Sequence, residues 1–181
     1  MPSFLNVGSQ SEKPKAGIVG AGIAGLSAAI ALRRAGWEST LYERSTFKNE
    51  IGAALFVNPP ATRCFDRWGV NYERSRPNDN TTFVTTKADD LTTLGHEVYD
   101  NSLELYGAKA LIFHRVDLHK ELLELATGDE LSGPPAIVKL GRGATGVDFE
   151  EGIVRFEDGS EVQHDLIVIA NGVHVMFSST H

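Results

Sequence analysis

The chain has one cysteine, Cys64, among 181 residues, which excludes an internal disulfide framework and a cysteine-rich metal site. That usage fits a reducing, cytoplasmic setting. No apolar run reaches the length of a membrane span. No basic run occurs either. Lys+Arg 17 against Asp+Glu 24 gives a net charge of −7, so neither nucleic acid nor an anionic membrane is an expected partner. Met1 to Lys15 lacks the apolar stretch of a signal peptide; residues 1–14 are polar, contain Pro14 and read as a flexible N-terminal arm. The six histidines have neither a cysteine partner nor HExxH spacing, and His114 and His119, five apart, do not share a helical face; no metal site is expected. Ser27 sits in GLSAA rather than GxSxG, so no hydrolase elbow is indicated. What is present is ordinary globular material: 41% hydrophobic and 23% charged residues, enough for one domain with a core. The 18 glycines point to tight turns or to backbone approaching a ligand.

Ala16 to Gly20 is a short apolar run that reads as a buried strand. Ile23, Leu26 and Ile30 then recur at helical spacing, with Arg33 and Arg34 in the last turn and Gly36 as a left-handed cap. Glu38 to Glu43 returns to strand character, completing a βαβ unit and implying a parallel sheet. Pro59-Pro60 opens a helix to Trp68, with Ala61, Cys64, Phe65 and Trp68 on one face and Gly69 as its stop. Asn71 to Asn80 reads as polar and irregular. Thr82 to Thr86 and Thr92 to Tyr99 read as a hairpin. Asp117 is the expected N-cap of a helix carrying Leu118, Leu122 and Leu125. After the break at Gly133-Pro134-Pro135, short strands are expected at Ala136 to Leu140, Gly143 to Glu150, Ile153 to Glu157 and Glu161 to Gln163. Asp165 to Ala170 follows as a continuous apolar run of the kind found in buried parallel strands.

The strongest chemical feature is Gly20-Ala21-Gly22-Ile23-Ala24-Gly25 between the first strand and the first helix. In that context the first glycine allows a tight turn, the second lets a diphosphate approach the backbone, and the third lets helix pack closely on strand. Free amides and the positive helix end then face the phosphates. Glu43 closes the second strand 23 positions after Gly20, where a carboxylate accepts from both ribose hydroxyls and repels a 2′-phosphate.

Four stretches together carry a family resemblance: AGIVGAGIAGLSAAIALRRAGWESTLYERS, IGAALFVNPPATRCFDRWGV, LIFHRVDLHKELLELA and DLIVIANGVH. They run from Ala16 to His174. The chain resembles the FAD-dependent aromatic hydroxylases of the salicylate hydroxylase type, over their N-terminal half only. The resemblance implies an α/β fold: a Rossmann-like FAD-binding domain over 15–181, with a parallel sheet of order 3-2-1-4-5, a β-meander crossover and a substrate-domain-like hairpin at about 82–99. It implies FAD as cofactor, NAD(P)H as a candidate reductant and a small aromatic or polycyclic organic substrate. Gly20, Ala21, Gly22, Ile23 and Gly25 match the diphosphate loop. Glu43 matches the ribose acid, and Arg44 the basic residue that follows it. Gly52, Ala53 and Ala54 match a loop that passes close to the flavin. Arg115 matches an arginine that reaches the phosphate and ribityl region, and Asn171-Gly172 stands where the family has Asp-Gly. No catalytic residue is assigned.

The chain also departs from that pattern. Members of the family are much longer, and the fifth strand and the later Gly-Asp motif are missing here. Asn171 replaces Asp, Val175 replaces Ser and Ser178 replaces Arg. Without a fifth strand, Asp165 to Ala170 becomes an apolar sheet edge, and such edges recruit partners; a homo-oligomer or a covering polypeptide is expected. Hydroxylation also requires solvent exclusion around the flavin, and half of the usual enclosure is absent. Two other readings therefore stay open. One is a redox-neutral isomerase or cyclase, with His96, His114, Glu97 and Asp100 as acid–base candidates by type. The other is a non-catalytic partner subunit.

Overall fold

A computed structural model describes residues 12–47 and 52–172. Most of the expected N-terminal arm, with Val175, Ser178, His174 and His181, lies outside these residues.

Strand β1 (Lys15–Val19) leads into helix α1 (Ile23–Arg34) and strand β2 (Glu38–Glu43), so the expected βαβ unit is present. Gly36 takes φ +83°, as a helix-ending glycine does. The next segment is richer in structure than its sequence indicates. Strand β3 (Ala54–Val57) precedes helix α2 (Pro59–Trp68), whose Asn58 cap accepts from the Ala61 amide. The stretch read as irregular contains helix α3 (Tyr72–Ser75) and strand β4 (Asn78–Asp79). The hairpin is strands β5 (Thr82–Thr86) and β6 (Thr93–Val98). Helix α4 (Ser102–Tyr106) and strand β7 (Leu111–His114), neither expected, come before helix α5 (Arg115–Thr127). The cap of α5 is His114 rather than Asp117, which lies in the first turn and binds Arg76 at 2.8 Å instead. The chain ends its described part with strands β8 (Ile137–Leu140), β9 (Ala144–Asp148), β10 (Ile153–Phe156), β11 (Glu161–Gln163) and β12 (Leu166–Ile169).

The main sheet has the order β12-β1-β2-β8 and is parallel throughout, which matches strands 4-1-2-3 of the expected order. The crossover from β8 to β12 is the antiparallel meander β9-β10-β11. Successive side chains on a strand face opposite ways, and both faces of this sheet are used. Ile18 and Leu41 join the core with Leu26, Ile30, Phe113, Leu118 and Leu122, while Val19 and Tyr42 join Val154 and Phe156 of the meander. A leucine buried as fully as Leu118 or Leu122 stabilises the fold by about 1.5–3 kcal/mol. Among the described residues β12 is an edge of the sheet, and its residues are only half-buried or exposed. Phe83, Val84, Leu94 and Val98 of the hairpin are exposed as well.

Arg33 is the largest fully buried side chain, at 1% exposure. Its guanidinium donates to the carbonyls of Leu125, Ala126, Gly128 and Leu131, tying the last turn of α1 to the end of α5.

His164 packs its ring on Gly17 of β1, where a Cβ would come within 2.4 Å, and shares a 3.0 Å hydrogen bond with the Tyr42 hydroxyl. Burial disfavours its charged form and lowers its pKa; Asp165 opposes this and Lys139 adds to it. The unfolded chain therefore takes up this proton first as pH falls through about 6.5. The stability this group allows is complete above that pH and declines below it, towards the folded-state pKa. Urea midpoints measured from about pH 7.5 to 5 should fall less steeply in His164→Gln than in the unaltered chain. Parallel profiles would assign the slope to another group.

Candidate nucleotide-binding site

Parallel α/β sheets bind ligands beyond the carboxyl ends of their strands. Here a cleft of about 940 Å³ opens at that position. It is lined by Gly20 and Gly22 after β1, by Tyr42, Glu43 and Arg44 at the end of β2, and by Ala170, Asn171 and Gly172 after β12. Residues 142–145 and Glu157, at the entry and exit of the meander, complete the wall.

The loop after β1 has defined reasons for its glycines. Gly20 has φ +100°, and a Cβ there would meet the Ala170 carbonyl at 2.4 Å. A Cβ on Gly25 would lie 1.9 Å from the Gly20 oxygen, so only glycine allows α1 this close to the loop. At Gly22 a Cβ meets nothing within 4 Å; that position is open toward the cleft, and Gly22 is the N-cap of α1. The first amides of a helix lack intrahelical partners and carry the positive end of its dipole, an arrangement suited to an anion.

The Glu43 carboxylate is already oriented. Oε2 accepts from the Ala21 amide at 2.9 Å and Oε1 from the Ser45 amide at 2.7 Å. A carboxylate offers about four acceptor positions, so hydroxyls of a ligand can still be accommodated. Arg44 is exposed at the rim. The Asn171 Oδ1 is buried, with no hydrogen-bond partner among the described residues.

Gly52, Ala53, Ala54 and Arg115 form a second group that does not line this cleft. They meet one another: the Arg115 amide donates to the Ala53 carbonyl at 2.9 Å, and Ala54 pairs with His114. Ala54 belongs to strand β3, not to a loop. Gly52 abuts the His114 ring, where a Cβ would lie 2.2 Å from Nε2. His96, Glu97 and Asp100 are exposed on and after β6, and neither they nor His114 line the cleft.

The sequence reading missed two contributors. Arg142 to Thr145 reach the cleft because the Arg142 amide donates to the Glu43 carbonyl at 2.8 Å, while the Arg142 guanidinium lies 4.4 Å from the Phe156 ring centroid. Their signal was the Gly141-Arg142-Gly143 turn directly after a parallel strand. His119, buried on α5, contacts the Ala21 carbonyl through Nε2 at 2.8 Å, and no sequence pattern announces that contact. Among the described residues no group of three histidine, cysteine or acidic side chains could hold a metal, and no helix is long and apolar enough to cross a membrane.

Residues 18–66 match the family model of the NAD(P)-binding Rossmann-like domain. Hispidin-3-hydroxylase of Neonothopanus nambi is 40% identical over 156 residues, which cover 86% of this chain and 37% of that protein. A 6-hydroxynicotinate 3-monooxygenase of Bordetella bronchiseptica is 27% identical, covering 90% and 42%. Among solved structures, the tetrameric form of 2-methyl-3-hydroxypyridine-5-carboxylic acid oxygenase superposes with a TM-score of 0.69 at 25% identity, over 89% of this chain and 40% of that one. Klebsiella pneumoniae HpxO complexed with FAD gives 0.64 at 26%, over 85% and 38%. The chain thus spans about two fifths of the length of these relatives. Over the part it spans, the chain resembles the FAD-dependent aromatic and heterocyclic hydroxylases of the salicylate hydroxylase type in sequence and in fold.

Proposed function

We propose that this chain binds FAD in the cleft and serves flavin-dependent hydroxylation of a small aromatic or polycyclic molecule, with NAD(P)H as reductant. The observation that carries the reading is the convergence of the α1 amino end, the Glu43 carboxylate and the Asn171-Gly172 turn after β12 on one cleft. In this reading Gly20 to Gly25 hold the diphosphate. Glu43 accepts from the adenosine ribose, with Arg44 beside it, and Arg142 to Thr145 flank the adenine end. Asn171 and Gly172 close on the diphosphate from the β12 side, while Arg115 with Gly52 to Ala54 lies toward the flavin end. Bound there, FAD supplies the redox chemistry; the chain's part is to hold it, orient it and keep water out. The exposed apolar side chains of the hairpin and the β12 edge support contact with a second copy or another polypeptide.

Fluorescence titration with FAD, and with FMN as the ligand lacking adenosine, tests the assignment. Charge-assisted hydrogen bonds contribute about 1.5–3 kcal/mol, so Glu43→Ala should weaken FAD about 10- to 100-fold and leave FMN nearly unchanged. Failure of the unaltered chain to take up FAD would overturn the reading.

A further inference from the structure

The Ala21 peptide groups are held from both sides, and the two holds have different chemical consequences. The amide of Ala21 donates to Glu43 Oε2 at 2.9 Å. Its carbonyl oxygen lies 2.8 Å from His119 Nε2 in a buried contact. A carbonyl only accepts, so the imidazole is the donor and Nε2 carries the hydrogen. His119 is 2% exposed, and its ring stands edge-on to Phe47 with centroids 4.8 Å apart.

The peptide unit is planar and trans, so its carbonyl oxygen and the following amide hydrogen point in opposite directions. Fixing the Ala21 oxygen on His119, in the interior, therefore fixes the Gly22 N–H away from the interior. Gly22 lines the cleft on its open side, where even a Cβ would meet nothing. We propose that His119 is a positioning residue for the cofactor: by donating to the Ala21 carbonyl it locks the peptide plane that turns the Gly22 amide toward the diphosphate. The inference rests on the FAD reading above and extends it to a side chain that lies behind the loop. It also gives α5 a second task, because Arg115 opens this helix one turn before His119. The hydrogen bond sets the spacing between the glycine loop and Arg115.

The test compares His119→Phe, which keeps a ring but has no donor, with His119→Gln, which keeps a side-chain N–H. The readouts are affinity for FAD, affinity for ADP as a diphosphate probe without flavin, and hydrogen exchange at the Gly22 amide. One lost donor contact should weaken FAD and ADP about tenfold in His119→Phe, with His119→Gln within about threefold of the unaltered chain. FAD should slow exchange at Gly22 in the unaltered chain and in His119→Gln, but much less in His119→Phe. A purely structural role would lower thermal stability and leave these ligand-dependent differences unmoved. Folded His119→Phe that binds FAD and ADP within twofold of the unaltered chain would overturn the proposal. So would a folded His119→Gln as weak as His119→Phe is expected to be, and this arm stands alone should His119→Phe not fold. An unaltered chain that ignores FAD instead removes the cofactor reading itself, an outcome distinct from these.

Discussion

Replacing Arg33 by alanine is expected to lower folding stability by about 4 kcal/mol, because it strips a charged donor from four carbonyls and leaves a cavity. The guanidinium is enclosed between α1 and the end of α5, and the helix-end carbonyls it meets have no intrahelical partners. Water entering the vacated space would satisfy part of them, which keeps the loss below the sum of separate penalties. In a chain of this size such a loss corresponds to a melting temperature lower by roughly 8–16 °C. Arg33→Lys should recover little, since one ammonium lacks the planar fork that spans these acceptors. Urea unfolding with an unchanged slope measures the effect, and a change under about 1 kcal/mol would show that the contacts are compensated elsewhere.

Substitution at Gly22 should separate folding from cofactor binding. Gly22 is an N-cap with extended backbone, φ −75° and ψ −173°, that any residue adopts. Aspartate is the better cap there and favours the helix dipole, so Gly22→Asp should raise stability by about 0.5 kcal/mol. The same carboxylate would stand where a diphosphate approaches. Like charges near 4 Å at a protein surface repel by up to about 4 kcal/mol, so FAD affinity should fall by about 100-fold, and by no more than about 1,000-fold. Gly25→Ala should behave differently. Its methyl would overlap the Gly20 oxygen, so stability and binding should fall together. Thermal melts beside FAD titrations resolve the two patterns; a Gly22→Asp variant that retains FAD would move the diphosphate elsewhere.

The parts legible in the sequence are those with a local signature. The βαβ unit, the glycine-rich turn inside it and the β12 run each combine a period or a motif with punctuation on both sides, and β1, α1, β2 and β12 form where those signatures set them, though β12 is less buried than its apolar run suggests. Strands β3 and β7 have four residues each and pair across more than fifty positions, so no local pattern marks them. Asp117 looks like a cap from its neighbours along the chain, but Arg76, forty-one positions away, claims its carboxylate. His119 lies within a stretch that carries the family resemblance, but nothing local marks its role; its partner is a backbone oxygen 98 positions distant, visible only once α1 and α5 are packed.

The register of β12 on β1 pairs Ala16 with Leu166, a span of 150 positions. The turn that follows β12 supplies Asn171 and the Ala170 oxygen that confines Gly20. The glycine loop thus gets its last wall from a segment that emerges from the ribosome about 150 residues after it. Contacts so far apart in sequence form slowly. Nascent chains that have not yet docked this strand should present a half-built cradle, and FAD is positioned to act late, by trapping the completed arrangement rather than by seeding it.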